Sequence, residues 1–124
     1  MRTGRGSSAR EAGGAGFRWR VAVSDDAVVV RLEGEFDLAV ADALREALDA
    51  LVAKHPEQDL VLDLAGVSFI DSSGLGVILG RHRRLQARGR RLLLAGVGPQ
   101  VKGILTTAGL GRILPLDERP APGR

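Results

Sequence analysis

From Phe17 the apolar positions fall on every second residue. Phe17, Trp19, Val21 and Val23 alternate with polar neighbours, the period of a half-buried strand. Asp25-Asp26 marks a turn, and the β-branched run AVVVRL at 27–32 predicts a second strand, paired antiparallel with the first as a hairpin and ended by Gly34. The period then lengthens. Over 40–53, Leu44, Leu48, Leu51 and Val52 share one helical face, while Asp42, Arg45, Glu46 and Asp49 lie away from it and Pro56 closes the segment. The apolar run LVLDL at 60–64 predicts a strand buried in a sheet. Helical spacing resumes from DSSGLGVILG at 71–80 through Leu85 and stops at Gly89, and RLLLA at 91–95 predicts another buried strand. Pro99 opens a third helix, with Val101, Ile104, Leu105 and Ala108 on one face and Gly109 as its C-cap. RILPL at 112–116 offers a last edge strand, because Pro115 cannot donate to a ladder.

The predicted order is ββαβαβαβ. Strands alternating with helices of this length imply an α/β fold, with a parallel or mixed sheet and helical crossovers. Three helices with one apolar face each fit packing mainly on one side of the sheet. Residues 1–16 are Gly, Ser, Arg and Ala without periodicity and predict a disordered leader; 17–118 form one domain, and 119–124 a disordered tail. No internal repeat is present.

Composition narrows the class. A chain of 124 residues with 44% hydrophobic positions holds one globular domain, and aromatics at 3% leave Leu, Val, Ile and Ala to fill the core. With no cysteine, disulfides, thiolate catalysis and Cys-based metal sites are excluded. No apolar h-region marks a signal peptide, and no stretch approaches the ~20 apolar residues of a membrane span. The expected setting is cytoplasmic, with no membrane association. The net charge of +3 suggests nucleic acid until it is located. Five arginines against one glutamate in 1–20, and two against two acids in 116–124, leave 11 basic and 12 acidic residues for 21–115. The basicity sits in the ends, so the chain-wide charge is a poor guide to partners.

The stretch from Asp71 to Arg91 carries the most chemistry. Ser72 and Ser73 stand where a strand gives way to a helix, and a helix N-terminus favours anions. A phosphate there would add about −1.5 to −2 charges. Asp and Ser before an apolar helix are also ordinary N-caps. Gly74, Gly76 and Gly80 each cost about 1 kcal/mol against Ala in a helix, which points to a close approach to the backbone. On a helical wheel, Leu75, Ile78, Leu79, His82 and Leu85 form the expected core face. Ser73, Val77, Gly80, Arg81 and Arg84 form the opposite face, expected to be exposed and to bind a partner. Arg88, Arg90 and Arg91 read as cations at a helix C-terminus.

Enzyme chemistry finds little support. Gly74, Gly76 and Gly80 are spaced GxGxxxG rather than as a dinucleotide fingerprint, and no GxSxG elbow surrounds Ser72 or Ser73. His55 precedes Pro56, and His82 falls among apolar positions as a core or boundary residue. No metal-ligand cluster and no cofactor site is evident, so no catalytic residue is expected. Asp63, between Leu62 and Leu64, fits a structural or a functional role.

FIDSSGLGVILGRHRRL at 69–85 resembles the STAS-domain family, in particular its anti-sigma factor antagonists; GEFD at 34–37 and GVGPQVKGILTTAGLGRIL at 96–114 support the match. The resemblance spans about 21–116 and implies a four- to five-stranded mixed sheet with helices largely on one face. It implies phosphorylation at Ser72 by an anti-sigma factor that is also a serine kinase, with Asp71, Ser73 and Gly74 as the switch loop. The unphosphorylated form would bind that factor and free the sigma factor, the phosphorylated form would let go, and a serine phosphatase would restore it. Glu35, Asp37, Gly76, Val77, Gly80, Arg81 and Arg84 are the expected partner-binding residues. Three features depart from the family pattern: Val40 stands where the first helix usually starts with a hydroxyl cap, a fourth helix is missing, and the Arg-rich leader is extra. A standalone STAS subunit of a transport or signalling complex is the alternative. Nucleic-acid binding through Arg81–Arg91 is weakened by the near absence of stacking aromatics, and no direct nucleic-acid contact is expected.

Overall fold

The hydrophobic alternation closes into a five-stranded sheet, seen in a computed structural model that describes residues 7–11 and 16–122. Strand β2 (Arg18–Val23) and strand β3 (Ala27–Phe36) form the expected hairpin, with Val21 opposite Val30. Helix α1 (Leu38–Lys54) crosses to β4 (Asp59–Ile70), which runs parallel to β3. Helix α2 (Ser72–Gln86) then leads to β5 (Leu92–Ala95), parallel to β4, and helix α3 (Pro99–Thr107) follows. An added first strand, β1 (Ser7–Glu11), pairs antiparallel with β2, giving spatial order β1-β2-β3-β4-β5. The last expected strand is present as a single parallel bridge, Leu94 to Leu116, after a 3₁₀ turn at Leu110–Arg112.

Period 2 sorts the strands into two faces. Val28, Val30, Leu32, Leu60, Leu62, Leu64, Leu92 and Leu94 face the helices, where they meet Leu44, Leu48, Ile78, Leu85, Val101 and Leu105. Phe17 packs on Trp19 and Phe36 at ring-centroid distances of 6.2 and 5.9 Å, so these aromatics share the rim of that core. The other face carries Val29, Val61 and Ala95.

Strands β3 and β4 run longer than the sequence pattern suggests. Gly34, expected to end β3, lies within it at φ +109° beside a register shift. A Cβ there would lie 2.0 Å from the Gly16 carbonyl oxygen, so only glycine lets the strand continue past that loop.

Both ends also differ from the expected disorder. Ser7–Glu11 is a strand, and residues 119–122 fold over the sheet face that lacks helices. Ala121 is buried against Val29, Val61 and Ala95. Gly96 N–H donates to the Arg119 carbonyl (2.6 Å) and Arg31 Nη2 to that of Pro122 (3.2 Å). Residues 1–6, 12–15, 123 and 124, also expected to be disordered, lie outside the described residues. Asp63, 1% exposed, sits on this covered face with Arg31 Nε 3.3 Å away and the Ala65 N–H donating to it, which gives it a structural role. Arg119 donates to Asp117 from its side chain and its backbone N–H, and these bonds hold that carboxyl below its usual pKa.

Cutting the chain after Glu118 should therefore destabilise it. Losing the Ala121 contact and the tail's hydrogen bonds is expected to cost about 2 kcal/mol, or roughly 5–10 °C in Tm. Thermal unfolding followed by circular dichroism checks this; an unchanged Tm would show that the segment adds nothing to the fold. Because the Asp117 pKa is depressed in the folded state, its part in anchoring the tail is present at neutral pH and is lost as pH falls through the lowered value.

Candidate functional site

The site forms where the carboxyl ends of β3 and β4 meet the starts of α1 and α2. Strand β4 ends at Ile70, and the Asp71 N–H donates to the Phe36 carbonyl (3.2 Å), fastening the junction to β3. Asp71 is extended (φ −101°, ψ −173°) and caps α2: its Oδ1 accepts from the N–H groups of Ser73 (2.9 Å) and Gly74 (3.1 Å). Its Oδ2 accepts from the N–H of Leu38 (3.2 Å), the first residue of α1. One carboxylate thus serves both helix N-termini and joins the GEFD and DSSG segments. Asp37 caps α1 in turn, accepting from the Ala39 N–H (3.0 Å), so this helix is capped although Val40 replaces the usual hydroxyl.

Gly74 explains how α2 starts so close to β3. A Cβ there would lie 2.7 Å from the Phe36 carbonyl oxygen and 2.9 Å from Ile70 Cγ2. The backbone that approaches this glycine is the protein's own. Gly76 differs, because a Cβ there meets nothing within 4 Å.

The exposed face of α2 runs from Ser72 through Gly76 to Arg83, flanked by the half-buried Leu75, Leu79 and Gly80. Leu38, 73% exposed, donates its backbone N–H to Asp71, the residue before Ser72. A shallow groove of about 420 Å³ adjoins this surface, lined by Phe17, Gly34, Glu35, Asp37, Val40 and Ser68 among others. The surface therefore combines bare helix backbone, the exposed Leu38 and the carboxylates of Glu35 and Asp37.

The STAS domain profile matches residues 18–121, most of this chain. The chain belongs to the STAS domain family. Its STAS domain is 37% identical over 89 residues to the anti-sigma F factor antagonist of Paenibacillus polymyxa, covering 72% of this chain and 76% of that protein. The solved structure of the anti-sigma factor antagonist SpoIIAA in its unphosphorylated form matches with a TM-score of 0.69 at 30% identity, over 80% of this chain and 86% of that one. The phosphorylated form of the Bacillus cell fate determinant SpoIIAA matches at 0.63 with 29% identity, over 80% of this chain and 89% of that one.

Within this STAS domain the loop residues Asp71, Ser72, Ser73 and Gly74 and the residues Glu35 and Asp37 lie at the carboxyl ends of β4 and β3. The partner stripe expected on α2 is not exposed as a unit. Val77 is 5% exposed and Arg81 6%, so both are interior. Helix α2 packs on α1 as well as on the sheet, and Arg81 Nε lies 3.1 Å from Asp49 Oδ1 of α1. The buried face is accordingly Gly74, Val77, Ile78, Arg81 and Leu85, rotated by just under one residue step of about 100° from the expected one. Burial pushes the Arg81 guanidinium below its usual pKa, while the Asp49 carboxylate pulls it up. Arg84 is exposed but reaches toward Asp49, away from Ser72. Leu38 is the residue that sequence reasoning passed over; its apolar side chain directly after the Asp37 cap is the signal that could have found it.

Three substitutions test this geometry by urea denaturation. Gly74→Ala should cost more than about 2 kcal/mol through overpacking against β3, whereas Gly76→Ala should stabilise the helix by about 0.5–1 kcal/mol. Asp71→Ala should cost about 2–3 kcal/mol by uncapping two helices at once. A separate expectation concerns Val77→Glu: burying an unpaired carboxylate should unfold much of the population, seen as loss of the cooperative transition.

Proposed function

We propose that this chain is a cytoplasmic anti-sigma factor antagonist that binds an anti-sigma factor with serine kinase activity and is switched off by phosphorylation of Ser72. The observation that carries this reading is an exposed serine at the first position of α2, directly after the Asp71 cap, in a domain related to named anti-sigma factor antagonists. The chain would act by binding rather than by catalysis. A serine phosphatase would reset it.

The local chemistry favours a switch at the interface over one in the fold. Asp71 Oδ1 already takes the Ser73 and Gly74 N–H groups. A phosphate on Ser72 therefore cannot settle into those donors, and the Asp71 carboxylate repels it. It is left on the outer face of α2, the side that exposes Ser72 and Gly76. Ser72 itself offers a partner a small neutral hydroxyl, while the phosphate offers a bulky dianion. Desolvating that charge without a matched cation costs several kcal/mol, enough to lower affinity by about a thousandfold. Ser73, half-buried behind the cap, is the less accessible hydroxyl.

Phosphotransfer and pull-down with a cognate anti-sigma kinase and ATP test the assignment. Ser72→Ala should resist phosphorylation and hold the kinase persistently. Ser72→Asp should fold normally and bind at least about tenfold more weakly. Ser73→Ala should still accept phosphate. Phosphopeptide mapping that placed the label on Ser73, or on no serine, would overturn the proposal.

A further inference from the structure

At the end of α2 remote from Ser72, a cleft of about 230 Å³ opens between α1 and α2, lined by Asp49, Val52, Arg81, Arg84, Ala87 and Arg88. Nine residues separate Arg81 from Ser72, about 14 Å along the helix, so this is a different place on the molecule. The charges in it do not balance: three guanidinium groups stand against the single carboxylate of Asp49.

Arg81 shows the imbalance most clearly. Its residue is 6% exposed and its Nε lies 3.1 Å from Asp49 Oδ1. Even so, Nε and Nη1 are both buried and neither makes a hydrogen bond. Buried donors of this kind are rarely left unmade, because the cost of desolvating them is not returned. Arg84 Nη1 approaches the same Asp49 oxygen only to 3.5 Å, with its side chain 64% exposed. Arg88 adds an exposed cation without an ion-pair partner among the described residues. The simplest account of arginines at a helix end is that they complement the dipole. That account covers Arg88 but not Arg81, which is buried sideways against α1. The carbonyls of Arg83, Leu85 and Gln86 are moreover taken by the N–H groups of Ala87, Arg88, Gly89 and Arg90, so the helix end does not claim the guanidiniums.

We propose that this cleft is a second site of the molecule, one that binds a small, doubly charged oxyanion of the phosphate type through Arg84 and Arg88, with the buried charge of Arg81 behind them. Guanidinium groups present paired donors that match tetrahedral oxyanions, and such charge-assisted bonds are the stronger kind. The cleft is smaller than the ~300–1,000 Å³ of a cofactor pocket, so it fits a phosphate group and not a whole nucleotide. Val52 and Ala87 wall it with apolar surface, which lowers the competition from water. The ligand is free phosphate or the phosphate group of a small monoester. The site is independent of any modification at Ser72.

Calorimetry on the full chain with inorganic phosphate and with glycerol phosphate, against chloride at matched ionic strength, tests the inference. Saturable binding of one or both in the low millimolar range or tighter is expected, and which of them binds identifies the source. Arg84→Gln and Arg88→Gln lie on the surface and should leave the fold intact; each should weaken binding by about tenfold, the worth of one charge-assisted contact. Ser72→Ala should bind the anion unchanged. No binding beyond chloride, or equal binding by the Arg84→Gln/Arg88→Gln double variant, would overturn the site.

Discussion

Helix α2 can begin where it does because residue 74 has no side chain. The Phe36 carbonyl and Ile70 occupy the space that a Cβ would need. That contact fixes the distance between the end of β3 and the first turn of α2. It thereby sets where Ser72 points, which side of α2 meets α1, and whether the Asp71 carboxylate can span two helices. Bulk at this one position would separate elements that otherwise share their hydrogen bonds.

The same constraint explains the division of labour along α2. Residues on the Gly74 side are drawn into the interior, down to Arg81 and Leu85, while Ser72, Gly76 and Arg83 are left outside. The exposed side is poor in bulk near its start, which suits a flat, close approach by another protein. The buried side ends in a guanidinium that the fold only partly satisfies. One helix thus carries an exposed serine hydroxyl at one end and an under-neutralised cationic cleft at the other.

Much of this was legible in the residues. Alternation gave β2 and β3 and the apolar runs gave the cores of β4 and β5, because those patterns are local. The register of α2 was not legible from apolarity alone, since Arg81 is buried through Asp49, more than 30 residues earlier in the chain. Had arginine been admitted to an interior face, the spacing Gly74, Val77, Ile78, Arg81 and Leu85 would have shown it. The continuation of β3 through Gly34 depends on the neighbouring Gly16 loop, and the docking of 119–122 depends on a small apolar patch around Val29 and Val61. Pro- and Arg-rich composition hides such a contact, because one alanine is enough to make it.

The double use of Asp71 also bears on the rate at which a complex forms. Its three accepted N–H groups belong to two rigid helices, so the loop holds its shape before any partner arrives. The entropy of ordering that loop is spent during folding and not during association. Under the proposed function, a loop prepared in this way places little conformational search on the encounter, so diffusion and charge are left to govern how fast a partner is captured.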